Sequence, residues 1–261
     1  MKYGFIGCGN MGGAIASTLA KTTTDFVITD RSGKGKLLAE KLGCAYDSNA
    51  FAAEHCERIF LAVKPQMMEG VLAPLKEILS KKKPLLITMA AGLTMDKIQE
   101  LAGTSLPVIR IMPNTPVAVE SGMTLYCYND LVCSDILNDF LQDMRFTGRM
   151  DQIPESLIDS AGVVSGCAPA YIYMFAEALA DGAVTCGVPR VKALEYAAAT
   201  LVGAGQMLLQ TGLHPGQLKD NVCSPGGSTI AGVNVLEENA FRGAIIDCVK
   251  AAYKRNQELG K

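Results

Sequence analysis

Tyr3-Gly4-Phe5-Ile6-Gly7-Cys8-Gly9-Asn10-Met11-Gly12 is the stretch on which the fold turns. A short apolar run ends in Gly-x-Gly-x-x-Gly, and a segment of helical period, 11–21, follows it. A second apolar run, Val27-Ile28-Thr29, then closes on Asp30. The glycine spacing alone is common. With a strand before it, a helix after it and an acidic residue ending the next strand, it reads as a βαβ unit that holds a dinucleotide. Gly7 permits the sharp turn, Gly9 lets the backbone approach a pyrophosphate, and Gly12 lets the helix close on the strand. The N–H groups that open helix 11–21 then meet negative phosphates. Ile6, Cys8, Asn10 and Met11 complete the predicted cradle. The bland alternative is a plain strand-to-helix turn.

Outward from this unit, candidate strands at 2–6, 26–30, 44–46, 58–63, 84–89 and 107–112 alternate with candidate helices at 11–21, 34–42, 67–80 and 94–102. Alternation of this kind predicts an α/β fold with a parallel sheet. Ile59-Phe60-Leu61-Ala62-Val63 is apolar throughout, as a strand covered on both faces should be. Two further runs, 122–128 and 146–150, extend the sheet edge. After Asp151-Gln152-Ile153-Pro154 the strand signal stops and Ala, Leu, Met and Glu dominate. The expected division is a dinucleotide-binding domain of Rossmann type at 1–152 and an all-helical domain at 153–261. Candidate helices there are 155–164, 169–187, 190–211, 215–222, 229–239 and 241–259. The stretches 169–187 and 190–211 are apolar nearly all round, and a half-chain of this size cannot bury them alone. They predict a homo-oligomer whose helical halves interleave.

Composition narrows the partners. The 261 residues carry 24 Lys and Arg against 26 Asp and Glu, which gives no basic excess and argues against nucleic acid. Lys81-Lys82-Lys83 reads as the solvated end of a helix. Nine scattered cysteines contain no Cys-x-x-Cys pair and read as reduced, apolar-packed thiols. His55 and His214 are the only histidines and lack neighbours at ligand spacing, so no structural metal is expected. Apolar runs are interrupted by Gly, Pro or charge before reaching the ~18 residues of a membrane span, so no membrane partner is expected. The first strand begins within two residues of Met1, leaving no room for a leader, and a cytoplasmic location is the expectation.

At the second strand the ribose signal is double. Asp30 can accept from a free 2′-hydroxyl, favouring NADH, whereas Arg31, Ser32, Lys34 and Lys36 can surround a 2′-phosphate, favouring NADPH. Ala62-Val63-Lys64-Pro65-Gln66 and Ala90-Ala91-Gly92 follow later strands and fall where such sheets bind ligands. Small residues at 90–92 suit close approach of a flat ring. Lys64 has two readings, a contact to phosphate or ribose oxygens and a cap for the helix after it.

Late in the chain, Leu218-Lys219-Asp220-Asn221-Val222-Cys223-Ser224-Pro225-Gly226-Gly227-Ser228-Thr229-Ile230-Ala231-Gly232 places a polar glycine turn between two helices. Successive N–H groups in such a turn, ending on a helix N-terminus, suit a carboxylate; a structural linker can look the same. Together with Phe5–Gly12, Ala62–Gln66, Ala90–Gly92, Arg110-Ile111-Met112-Pro113-Asn114-Thr115-Pro116, Ser165-Gly166-Cys167-Ala168-Pro169-Ala170-Tyr171 and His214–Leu218, this loop resembles the pyrroline-5-carboxylate reductase family over almost the whole chain. The resemblance implies a Rossmann domain followed by a helical dimerisation domain, with dimers that often assemble further into rings such as decamers. It implies hydride transfer to the C=N carbon of Δ1-pyrroline-5-carboxylate, the last step of proline biosynthesis, with NADPH preferred and NADH left open by Asp30. It carries over Ser224, Gly226, Gly227, Ser228 and Thr229 as substrate-binding, and Thr229 as the catalytic residue that hydrogen-bonds the ring nitrogen. Asn49, Ala91, Glu155 and Asn221 match further cofactor-contact positions.

The residue inventory agrees with imine reduction, because a protonated imine needs orientation and modest polarisation at nitrogen but no strong general acid. Thr229 is an orienting and polarising group, with water or the substrate's own proton completing the amine. Two departures stand out. Cys167 and Ala168 replace a serine and a glycine of the family's Ser-Gly-Ser-Gly-Pro-Ala-Tyr, and Asp30 stands where many NADPH-using relatives are neutral. The competing readings are a β-hydroxyacid dehydrogenase, for which Lys192 would be the lysine, and a dinucleotide-binding sensor without turnover.

Overall fold

The computed structural model describes residues 1–31 and 33–259. Strands and helices alternate in its first part: β1 (Tyr3–Ile6), α1 (Asn10–Leu19), β2 (Phe26–Thr29), α2 (Lys34–Leu42), β3 (Ala45–Tyr46), α3 (Asn49–His55), β4 (Arg58–Leu61), α4 (Met68–Leu72), α5 (Lys76–Lys82), β5 (Leu85–Thr88), α6 (Met95–Ala102), β6 (Val108–Met112), β7 (Gly122–Tyr128), α7 (Ser134–Asp143) and β8 (Gly148–Gln152). Helices follow: α8 (Glu155–Gly162), α9 (Ala168–Thr185), α10 (Arg190–Thr211), α11 (Pro215–Asn221), α12 (Ser228–Glu238) and α13 (Phe241–Leu259). Two compact units result, Met1–Cys167 with Ala252–Lys261, and Ala168–Ala251.

In the first unit the sheet order is β3-β2-β1-β4-β5-β6-β7-β8. The strands from β3 to β6 are all parallel, so the crossover after β3 returns past β1 and opens a crevice at the carboxyl ends of β1 and β4. Alternate residues point to opposite faces and both faces are covered. Phe5 stacks on Phe60 at 4.5 Å beneath Phe26 and Ile28 on one side, while Ile6, Val27, Ile59 and Leu61 pack on the other.

Runs 122–128 and 146–150 extend the sheet edge as expected, and four features depart from or add to the sequence reading. β7 runs antiparallel to β6, because only a short 3-10 turn at Thr115–Val119 joins them and a parallel return needs a crossover of a dozen or more residues. The expected helix 67–80 breaks at Pro74 into α4, a 3-10 turn Ala73–Leu75 and α5, since proline lacks the N–H and crowds the preceding turn. Helices α3 and α7 were not anticipated. Ser48 starts α3 by accepting from Phe51 N at 3.1 Å, and Leu137 and Phe140 are the buried side of α7. The fourth change concerns apolar length. Residues Glu155–Thr185 form one helical run long and apolar enough to cross a membrane by length and composition. Gly162, Gly166 and Pro169 lie within it, because a π-helical turn at Val163–Cys167 carries the chain from α8 into α9.

The second unit buries little by itself. Ala180 is the one buried residue of α9, Ala193 and Ala197 those of α10, and α12 has none. Ile172, Tyr173, Met174, Val191, Val202 and Leu209 are exposed. A face this apolar requires a cover.

Candidate active site

The glycine turn has the geometry its sequence demands. Gly7 has φ +95°, and a Cβ there would meet Ala62 O at 2.7 Å. At Gly12 a Cβ would meet Gly7 O at 2.7 Å and Ala62 Cβ at 2.8 Å, so α1 touches the turn and the end of β4 through bare backbone. At Gly9, apart from its chain neighbours, no atom of the described residues lies within 4 Å of a built Cβ. Gly9 is also the N-cap of α1, and no side chain caps that helix, so its first-turn N–H groups face the open side. Cys8 is buried; burial, with the Asp30 carboxylate and Cys44, pushes its thiol up to about 11, and it enters the turn as a neutral apolar group. Asn10 and Met11 begin α1, and Ile6 ends β1.

A cleft of about 460 Å³ opens beside this turn, lined by Ile6, Gly7, Thr29, Asp30, Arg31 and Asn49 and walled on its apolar side by Val63, Met67 and Pro74. Thr29 donates its hydroxyl to Asn49 Oδ1, which fixes Asn49 at the mouth. Asp30 Oδ2 accepts from Gly35 N at 3.0 Å, and Tyr46 donates to Asp30 O at 2.7 Å, so Asp30 holds the start of α2. Arg31, Lys34 and Lys36 are exposed nearby, whereas Ser32 lies outside the described residues. Lys64 stands at the N-cap position before a 3-10 turn, Pro65–Met67, and its side chain makes no capping bond.

The third segment expected at the cofactor, Ala90-Ala91-Gly92, follows β5. Ala90 is buried and Gly92 has φ +75°. Glu155 does not extend into the cleft: its Oε1 accepts from Met95 N at 2.7 Å and from Arg110 Nη1 at 3.4 Å. One turn on, Asp159 Oδ1 accepts from Gly92 N at 3.3 Å and from Arg110 Nη2 at 2.6 Å. Sequence reading passed over Asp159 and gave Arg110 no role. The signals were present: an arginine in the middle of the apolar strand Val108-Ile109-Arg110-Ile111-Met112, and two acids four residues apart on one helix.

In the second unit, Ser224-Pro225-Gly226-Gly227 is a β-turn with Pro second and Gly226 third at φ +68°; Gly227 N donates to Ser224 O at 3.0 Å. Gly227 is the N-cap of α12 and no side chain caps it, so Ser228 and Thr229 occupy its first turn with their N–H groups unused by the helix. A Cβ at Gly227 would meet Ser224 Oγ at 2.4 Å and Ser224 O at 3.1 Å, so a larger residue there would displace the Ser224 hydroxyl. Asn221 is the last residue of α11, immediately before the loop, and is exposed. The arrangement offers backbone and hydroxyl donors to an anion without an arginine. The structure thus brings the predicted residues together in two sets, the dinucleotide elements in the first unit and the anion loop with Asn221 in the second.

A doubly wound parallel sheet with an uncapped glycine turn at its switch point defines an NAD(P)-binding oxidoreductase fold, joined here to a helical unit. Residues 155–259 match the family profile described as pyrroline-5-carboxylate reductase dimerisation, and residues 2–92 match one described as NADP oxidoreductase, coenzyme F420-dependent. The chain is 42% identical to the pyrroline-5-carboxylate reductase of Escherichia coli, over 100% of this chain and 98% of that one. Its fold superposes on the crystal structure of 1-pyrroline-5-carboxylate reductase from Streptococcus pyogenes with a TM-score of 0.91 at 32% identity, covering 99% of this chain and 98% of the other. The Plasmodium falciparum pyrroline carboxylate reductase, solved with NADP bound, matches with a TM-score of 0.89 at 32% identity over 100% and 98% of the two chains. The chain belongs to the pyrroline-5-carboxylate reductase family.

Proposed function

We propose that this protein reduces Δ1-pyrroline-5-carboxylate to L-proline, the last step of proline biosynthesis. The observation that carries the reading is the pairing, in one chain of this family, of a dinucleotide cradle at Gly7–Gly12 with an uncapped anion loop at Ser224–Thr229. A dinucleotide fits the cradle: space is open at Gly9, the N–H groups of α1 are free for a pyrophosphate, and the cleft wall of Val63, Met67 and Pro74 suits the flat base. When bound, the reduced nicotinamide supplies the hydride, which adds to the imine carbon as the C=N π electrons move to the protonated nitrogen. The N–H groups of Ser228 and Thr229 and the Ser224 hydroxyl hold the substrate carboxylate. The Thr229 hydroxyl hydrogen-bonds the ring nitrogen and fixes the ring's orientation. Ala62–Pro65 and Ala90–Gly92 contact the cofactor, and Asn49, Glu155 and Asn221 complete the cofactor set, Glu155 acting through the turn it holds.

NADPH is the preferred donor in this reading. The Asp30 carboxylate serves the Gly35 amide at the start of α2, and Arg31, Lys34 and Lys36 stand exposed where a 2′-phosphate would lie. The division at 152/153 follows the change from strand to helix, the helical part from 153 associating as dimers that can assemble further into decamers. Nine unpaired cysteines suit a reducing compartment, and we place the protein in the cytoplasm.

Purified protein should oxidise NADPH in the presence of pyrroline-5-carboxylate and yield one proline per NADPH consumed, with a higher kcat/KM for NADPH than for NADH. Absence of turnover with both donors, despite dinucleotide binding, would favour the sensor reading instead.

A further inference from the structure

We infer that Arg110 and Asp159 are positioning residues that set the conformation of the cofactor-facing turn Ala90–Gly92. The inference rests on the reading that this turn lines the dinucleotide. Arg110 lies in the middle of β6 and is 1% exposed, between apolar neighbours on a strand whose other side chains pack in the core. A guanidinium in such a place loses its hydration, and replacing buried ion pairs by apolar groups is often neutral or stabilising. Stability alone therefore does not explain it. Its fork is divided between two carboxylates one helical turn apart on α8, Nη2 to Asp159 Oδ1 at 2.6 Å and Nη1 to Glu155 Oε1 at 3.4 Å, while its Nε has no partner among the described residues. The whole hold on the side chain is thus through α8.

The same two oxygen atoms also accept from the backbone after β5. Asp159 Oδ1 takes Gly92 N at 3.3 Å, and Glu155 Oε1 takes Met95 N at 2.7 Å. Arg110 holds both carboxylates pointed at these amides, and the amides fix the turn in which Gly92 adopts φ +75°. Asn256, near the chain's end, adds a fourth partner to the cluster at 3.5 Å from Asp159 Oδ1. A turn held by two charge-assisted bonds presents Ala90 and Ala91 in one geometry, which a ring that must deliver hydride along a fixed line requires.

The test is steady-state kinetics on Asp159→Asn, Asp159→Ala and Arg110→Lys, with thermal unfolding and amide hydrogen exchange of residues 89–95 recorded on the same samples. Asp159→Ala removes the acceptor for Gly92 N and should raise KM for NADPH about fivefold or more and lower kcat, with KM for the imine at saturating NADPH changed by less than about twofold. Exchange at Gly92 should speed up in parallel. Arg110→Lys keeps the charge without the fork and should fall between wild type and Asp159→Ala in KM for NADPH. Folded variants with lowered Tm but wild-type KM for NADPH and unchanged exchange at 89–95 would overturn the inference. Should Asp159→Ala not fold, Asp159→Asn and Arg110→Lys decide by the same readouts. If wild type itself fails to turn over, the proposed function falls, and direct NADPH titration of the same variants still decides the role of the turn.

Discussion

At the scale of single residues, the two chemical tasks fall on backbone more than on side chains. In the proposed reaction, glycine at 7, 9, 226 and 227 brings N–H groups to the anions, and one hydroxyl, that of Thr229, addresses the reacting ring. Removing that hydroxyl forfeits a hydrogen bond worth on the order of 1 kcal/mol net, and more in a dry site. Thr229→Ala should therefore lower kcat/KM for the imine about tenfold or more, while the Kd for NADPH, measured by quenching of dinucleotide fluorescence, stays within about twofold. Thr229→Ser should recover most of the loss. Equal losses in turnover and in NADPH binding would remove Thr229 from the substrate site. The glycines were legible in the sequence because Gly-x-Gly-x-x-Gly and Ser-Pro-Gly-Gly-Ser-Thr impose backbone conformations that few other residues adopt, whereas the role of Thr229 rests on the family resemblance. Arg110 and Asp159 were not read, since their meaning depends on a pairing 49 residues apart.

At the scale of elements, the glycine turn separates two requirements that a single motif conflates. Gly12 serves packing: a methyl group there presses on Gly7 O and Ala62 Cβ, an overpacking that costs about 1–3 kcal/mol. On the proposed reading Gly9 serves the ligand, since apart from its chain neighbours no described residue lies within 4 Å of its would-be Cβ. Gly12→Ala should thus lower both Tm and NADPH affinity, whereas Gly9→Ala should leave Tm within error of wild type and weaken NADPH binding alone. Calorimetry and NADPH titration on the pair check this, and a stability loss in Gly9→Ala contradicts the assignment. Periodicity located most of the other elements. It missed α3 and α7, whose helices depend on a single Ser48 cap and on a narrow buried stripe, and it ran helix 67–80 through Pro74.

For the whole molecule, the exposed apolar surface of α9 and α10 belongs to a segment of the matched dimerisation family. Leu209, 71% exposed, and Val202, 61% exposed, should tolerate Glu with effects within about 0.5 kcal/mol if they face water in the working protein. If they face a second copy, Val202→Glu and Leu209→Glu bury an unpaired charge. We expect the latter: light scattering should give a dimer or larger assembly for wild type and a shift toward monomer, with lowered Tm, for each variant. Unchanged assembly in both would place the interface elsewhere.

By itself the sequence determined the dinucleotide cradle, the alternation that builds a parallel sheet, and the polar glycine turn between α11 and α12, because each is set by local backbone geometry and by a period that neighbouring residues reveal. Tertiary structure alone decided that β7 turns back against β6, that Gly162, Gly166 and Pro169 lie inside one helical run, and that a buried arginine on β6 steadies the turn after β5. Those features arise from contacts between distant segments, and no local period records which segments will meet.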